Sequence, residues 1–414
     1  MRIHTRSRLR VTFVSEHYPP TDGGVATSSQ RVARQLVLLG ADVHVICFDH
    51  GQPITSPDYV VREYDEGVVV SRVGPFFLKQ RLLSADAIPE KQKATLRRRA
   101  FAQMCQLVDE HPADIVLSFY LLNAGFMATF LGRAKKLPIV AGVRGNDIGR
   151  NIFHTERFAA IQWVVGSATH IVCVNDHLRD RLLITFPDAE NKTSVIPNSA
   201  RVPDVSALDR HDARRVMLKA TGWRDEHLVA VFIGTLREKK GVSVLLESLN
   251  SLGSEAQIRL LVVGPEIGGY ERKVCGELWS RLTAEGLCWA TGRIVQSDVR
   301  QWVLGADIVV MPSIDDGMAN GLLEGMALGL CPVVSNIFAD VVRDGENGRV
   351  VPSGDAASLA AVLRALEQDR ASVSQFGAAA RTSRSTWTPE SEAAAYLDLA
   401  DRILEKQSEL GGAD

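Results

Sequence analysis

The stretch ADIVVMPSIDDGMANGLLEGMALGLCPVVSN, residues 306–336, decides the fold. Residues 308–312 are apolar and β-branched and stop at Pro312-Ser313, and residues 332–335 repeat that character. Between them lie a loop with Asp315 and Asp316 and a run of small and apolar residues that reads as a helix through Glu324 to Gly329. Strand, loop, helix and strand make a βαβ unit, the building block of a parallel sheet.

The pattern extends in both directions. Further strands are expected at 229–234, 259–264 and 349–351, and in the first half at 11–15, 42–47, 114–119, 139–143, 171–175 and 194–197, with 68–73 added as an edge strand. Helical patterns lie between most of them. The polar segment SARVPDVSALDRHDARR, 199–215, interrupts the alternation and reads as a linker. At 414 residues the chain exceeds what one core usually supports. The expectation is therefore an α/β protein of two Rossmann-like domains, 1–198 and 199–386, facing across a cleft, followed by a terminal helix within 387–414. Ligands of such sheets sit beyond the C-terminal ends of the strands, so the chemistry belongs in the loops there.

Composition narrows the ligand. Lys and Arg number 47 against 49 Asp and Glu, which leaves no overall field to hold nucleic acid, and an anionic partner must be met by a local cluster. The six cysteines show neither C-x-x-C pairs nor zinc spacing, and read as buried thiols of a reducing compartment. No apolar run reaches the ~18 residues of a membrane span, and the basic start MRIHTRSRLR lacks the apolar core of a signal peptide. A cytoplasmic protein is expected. Residues 75–83 mix aromatics with Lys79 and Arg81, which fits a peripheral contact with the inner face of a membrane or, more simply, a loop between domains.

Three segments carry candidate chemistry. In EHYPPTDGGVATSSQ, 16–30, Gly23 and Gly24 stand at a strand-to-helix turn where backbone N–H groups approach a phosphate, although a tight turn alone explains the pair as well. The segment is not G-x-G-x-x-G, which counts against a dehydrogenase. In VAVFIGTLREKKGVSVLLESL, 229–249, the cations Arg237, Lys239 and Lys240 follow the strand end at Gly234 and suit the charge that builds on a departing diphosphate. In the opening stretch, Asp316 is placed on sugar hydroxyls, Glu324 on a ribose diol, and the backbone of Gly317, Met318, Ala319 and Asn320 on phosphate. If the eight positions from Asp316 to Glu324 were helical they would span about 12 Å, the distance between the two ends of such a ligand. Gly321, Gly325 and Gly329 recur every fourth residue, a stripe that permits close backbone packing.

Taken together, YPPTDGG, VIPN, GTLREKKG, LLVVGP, PSIDDGMANGLLEGMALGLCPVV and NGRVVPSGD resemble the retaining glycosyltransferases of family four, group 1, with the GT-B fold. The resemblance implies transfer of a sugar from a nucleoside diphosphate sugar, as co-substrate, to a glycan, lipid-linked or small-molecule acceptor, with retention and without metal or other cofactor, in cell-envelope or polysaccharide synthesis. It implies an E-x7-E motif with Asp316 and Glu324 at its acidic positions, Lys240 on the donor diphosphate, and a terminal helix that crosses back to the first domain. Three positions depart from the family pattern: Asp316 is one methylene shorter than the usual Glu, Thr235 stands where many members have Arg, and RGND puts Arg144 where many have His. Arg144, Asn146 and Asp147 are accordingly candidate sugar or acceptor contacts. Two rival readings are a GT-B sugar-nucleotide epimerase and a non-catalytic sugar-nucleotide-binding subunit.

Overall fold

The computed structural model describes residues 8–21, 23–48, 59–74, 90–201 and 210–411. Residues 1–7 of the basic start, residues 75–89 with the expected membrane-contact loop, and linker residues 202–209 lie outside the described residues. The chain forms two compact units, Met1–Asn198 with Pro389–Asp414, and Ser199–Thr388.

The first unit contains β1 (Arg10–Ser15), α1 (Gly24–Leu38), β2 (Asp42–Phe48), β3 (Tyr59–Asp65), β4 (Val68–Gly74), α2 (Glu90–Glu110), β5 (Ile115–Phe119), α3 (Ala124–Lys135), β6 (Ile139–Val143), α4 (Asn146–Gly149), α5 (Thr155–Ser167), β7 (His170–Cys173), α6 (Asp176–Thr185) and β8 (Thr193–Val195). The second contains α7 (Arg210–Thr221), β9 (Leu228–Ile233), α8 (Val242–Leu252), β10 (Ile258–Val263), α9 (Gly269–Ala284), β11 (Cys288–Ala290), α10 (Gln296–Leu304), β12 (Ile308–Met311), α11 (Asn320–Ala327), β13 (Cys331–Ser335), β14 (Arg349–Val351), α12 (Ala356–Gln368) and α13 (Arg370–Ser383). The last helix, α14 (Pro389–Gly411), belongs to the first unit, where it packs on α1.

The first sheet runs β3-β4-β2-β1-β5-β6-β7-β8, parallel except for β3. Its central strands are largely apolar on both faces because both faces are covered. Phe13, Val45 and Leu117 face Val32 and Leu36 of α1 and Tyr396, Leu399 and Ile403 of α14. Their neighbours Val14, Ile46 and Val116 point the other way, toward Met104 and Leu107 of α2 and Met127 and Leu131 of α3. Each such side chain withdrawn from water contributes about 1.5–3 kcal/mol. An Arg31–Glu392 ion pair at 2.9 Å, nearly closed to solvent, joins α1 to α14.

The second sheet runs β11-β10-β9-β12-β13-β14, all parallel. In each sheet the strand order reverses beside the unit's first parallel strand, between β1 and β5 and between β9 and β12, and crevices open at such switch points.

Two expectations need correction. Residues 68–73 are not an edge strand: β4 lies between β2 and the antiparallel β3, which forms the edge instead. Residues 316–319 are not helical, since α11 starts at Asn320 and ends at Ala327, before Gly329. The Asp316 carboxylate accepts the Gly317 N–H at 2.9 Å, a local bond that competes with helix formation. The twelve-ångström helical span therefore does not exist. All six cysteines are thiols, five of them buried. Among the described residues no helix is long and apolar enough to cross a membrane.

Candidate functional site

In the second unit two loops leave the strand ends and lie against each other. β9 is followed by Gly234, whose φ of 118° suits glycine and whose N–H is held by the Val263 carbonyl at 2.9 Å. The chain then passes Thr235 and Arg237 to a short 3-10 turn, Glu238–Lys240, and closes at Gly241 with φ 74°. A Cβ at Gly241 would lie 2.0 Å from the Pro312 carbonyl oxygen, so only glycine lets this loop touch the one after β12. The contact is locked by the Lys239 carbonyl, which accepts the N–H groups of Ile314 at 2.8 Å and Asp315 at 3.0 Å.

That packing gathers the charged groups. The Lys240 ammonium stands over Gly234, 3.3 Å from where a Cβ there would be. Burial lowers its pKa, Asp316 opposes that shift, and Lys239 adds to it. Lys239 pairs with Asp316 at 3.7 Å. Oδ1 of Asp316 takes the Gly317 N–H, while its buried Oδ2 has no hydrogen-bond partner. The Ser313 hydroxyl nearby in sequence is buried in the same condition. An unpaired buried acceptor costs about 1–3 kcal/mol, more if charged, and a hydrogen-bond donor placed at this loop pair would offset that cost.

α11 follows directly, with Met318 and Ala319 buried just ahead of its N-terminus. The glycine stripe is what seats it: a Cβ at Gly321 would come within 2.7 Å of Ile233 Cβ, and one at Gly325 within 2.7 Å of Val309 Cβ. Gly329, at φ 79°, serves the turn after the helix. Glu324 is half-buried on this helix. The structure thus brings Lys240, Asp316, Thr235, Arg237 and residues 317–320 to adjoining loops, with Glu324 one turn into the helix that begins there.

The first unit offers a different picture. Gly23, at φ 133°, precedes α1, and a Cβ on it would meet nothing within 4 Å. Beyond β6, Asp147 is fully buried and accepts the N–H groups of Arg144 at 2.7 Å and Leu121 at 3.4 Å. Burial pushes its pKa up to about 7 against the pull of those two bonds. The Arg144 guanidinium lies 3.8 Å from the centre of the Phe119 ring and donates to Asn198 at 2.7 Å. Asn146 opens α4.

Sequence reasoning missed the groups that hold these loops. Tyr18 is buried and donates to Asp65 at 2.7 Å; Asp65 also receives Gln30 at 3.0 Å and the Arg34 guanidinium. Arg72 on β4 reaches the carbonyls of Tyr18 and Pro19, so the β3–β4 hairpin braces the loop before Gly23. Glu271, on the first turn of α9, reaches the loop after β9. Each pairing joins residues more than thirty positions apart, and a single sequence carries no signal for that.

The glycosyl transferases group 1 model matches residues 227–369, and the Glycosyltransferase Family 4 model matches residues 22–200. A putative teichuronic acid biosynthesis glycosyltransferase of Bacillus subtilis is 24% identical over 345 residues, covering 79% of this chain and 80% of its own. Sucrose-phosphate synthase from Thermosynechococcus elongatus superposes with a TM-score of 0.73 at 14% identity, covering 96% of this chain and all of the other. The Anabaena protein HepE, in complex with UDP and glucose, gives 0.72 at 15% identity, covering 95% of this chain and all of the other. The likeness to both structures shows the GT-B fold.

Proposed function

Because the chain belongs to the group 1, family 4 glycosyltransferases, we propose that it carries a sugar from a nucleoside diphosphate to a hydroxyl acceptor with retention at the anomeric carbon. The observation that carries this reading is the pair of loops after β9 and β12, which set two lysines beside a buried carboxylate oxygen still lacking a hydrogen-bond donor.

Lys240 and Arg237 face the diphosphate, and Asp316 takes hydrogen bonds from the sugar hydroxyls. Glu324 holds the ribose diol, with the backbone of residues 317–320 on phosphate. The bond from the anomeric carbon to the diphosphate oxygen breaks and leaves its electron pair on the diphosphate. The acceptor oxygen bonds the same carbon on the same face, and its proton passes to an oxygen of the departing diphosphate. Fixed cations stabilise the charge of that leaving group most in the transition state.

The first unit is assigned the acceptor, a glycan, lipid-linked or small molecule, with Asn146 as a candidate contact. A role in cell-envelope or polysaccharide synthesis is favoured by the similarity to the teichuronic acid enzyme. A cytoplasmic site of action fits the buried thiols. The test is donor hydrolysis and transfer by Lys240→Ala, Asp316→Asn and Glu324→Ala. Losses of about 10²–10³ in kcat are expected for Lys240 and smaller ones for the carboxylates. Wild-type rates in the Lys240 and Glu324 variants together overturn the assignment.

A further inference from the structure

The three cations of the loop after β9 are not equivalent. Lys239 is matched to Asp316 and Lys240 is tucked over Gly234, whereas the Arg237 side chain is 57% exposed and its position is set from outside the loop. The group that sets it is Glu271. This carboxylate is almost wholly buried, accepts the Glu238 N–H through Oε1 at 3.3 Å, and faces Nη1 of Arg237 through Oε2 at 3.5 Å. Oε2 makes no hydrogen bond of normal geometry, so the ion pair with Arg237 is the compensation that the contacts show for burying it. Glu238 is in turn bonded to Ser243 at the start of α8.

We propose that Glu271 is a positioning residue for the diphosphate site: it fixes the backbone at Glu238 and aims the Arg237 guanidinium across the loop toward the leaving group. A guanidinium presents five N–H donors in a rigid fork, so one nitrogen held by Glu271 leaves the others directed at phosphate oxygens. Without the carboxylate, Arg237 sweeps the solvent and most of its orientation is lost. This inference rests on the donor reading of the loop.

The experiment is a double-mutant cycle in the full-length protein, with binding of UDP, GDP and ADP followed by calorimetry and donor KM and kcat measured alongside. Glu271→Gln keeps an acceptor for the Glu238 N–H and removes the charge that holds Arg237, so it is the informative variant even if Glu271→Ala fails to fold. Arg237→Ala is expected to weaken the preferred diphosphate about tenfold, and Glu271→Gln about three- to tenfold. The double variant should be no weaker than Arg237→Ala alone. The matching nucleoside monophosphate should show smaller losses in both single variants, which a general loosening of the loop does not produce. Wild-type affinity in Glu271→Gln, or losses that multiply in the double variant, overturns the proposal. Lys240→Ala separates the two levels: if it loses nucleotide while the Glu271 and Arg237 variants do not, only this inference falls. If it also binds like wild type, or no diphosphate binds the wild type, the donor reading falls with it.

Discussion

The loops after β9 and β12 in the second unit and the loop after β6 in the first are both polar loops at strand ends, yet they treat their carboxylates in opposite ways. Asp316 spends one oxygen on its neighbour's N–H and keeps the other buried without a donor. Asp147 gives both oxygens to backbone N–H groups and is sealed from solvent. The first carboxylate carries a cost that a hydrogen-bond donor from a ligand would offset, and the second is already satisfied by the backbone. Of two acidic residues at comparable places in two similar sheets, one is a candidate contact and the other is part of the loop's frame.

The largest way to break the contrast is through the glycine that lets the donor loops meet. Gly241→Ala adds a Cβ 2.0 Å from the Pro312 oxygen at a left-handed φ of 74°. The expected cost is about 3–4 kcal/mol of stability, from backbone strain and overpacking together. It should appear as a lowered melting temperature and a loss of nucleotide binding. A variant that melts and binds like the wild type would mean that the two loops move apart freely and that their contact does not build the site.

The second way is through pH. The Asp147 pKa of about 7 lies above its ordinary value of 3.8, so between the two the folded chain keeps a proton that the unfolded chain has lost. The contribution is thus full below about pH 4 and disappears as the pH rises through 7, with a slope of at most about 1.4 kcal/mol per pH unit. Wild type should lose about 2 kcal/mol more than Asp147→Asn between pH 5 and 7, read from denaturant midpoints of both proteins. Parallel profiles would show that Asp147 ionises like an open carboxylate, and the distinction between the two loops would fail.

How much of this was legible beforehand depended on the range of the interaction. Strands such as IVLSF in β5 are buried at every position, and continuous apolar runs announce them. β3, YVVREYD, was missed because an edge strand carries charges on its open side, and β11, CWA, because three residues make no pattern. The stripe Gly321, Gly325 was readable as close packing, since its spacing is that of one helix face; Ile233 and Val309 as its partners were not. At the site, Lys240 and Asp316 stood out through local motif. Their mutual placement did not, because it depends on the Lys239 carbonyl holding the loop of Ile314 and Asp315. Glu271 and Arg72 had no local signature at all, being single charges that matter only for what lies across the fold from them.

The smallest expected effect concerns Arg144, and it sharpens the comparison most. The guanidinium is stacked on Phe119 and bonded to Asn198, while burial lowers its pKa. Replacing it by Leu removes a cation–π contact and a charged hydrogen bond, but it also relieves the burial of a charge. These terms oppose each other, and a net loss of about 1 kcal/mol is expected in the melting transition. Donor KM and donor hydrolysis should stay within about twofold of wild type, because every contact of Arg144 named above lies in the first unit's own frame. A hundredfold fall in hydrolysis with an unchanged melting temperature would place Arg144 on the reacting sugar instead. The loop after β6 would then be a second ligand-facing loop whose open end the guanidinium itself supplies, through the buried Nη1 that has no hydrogen-bond partner.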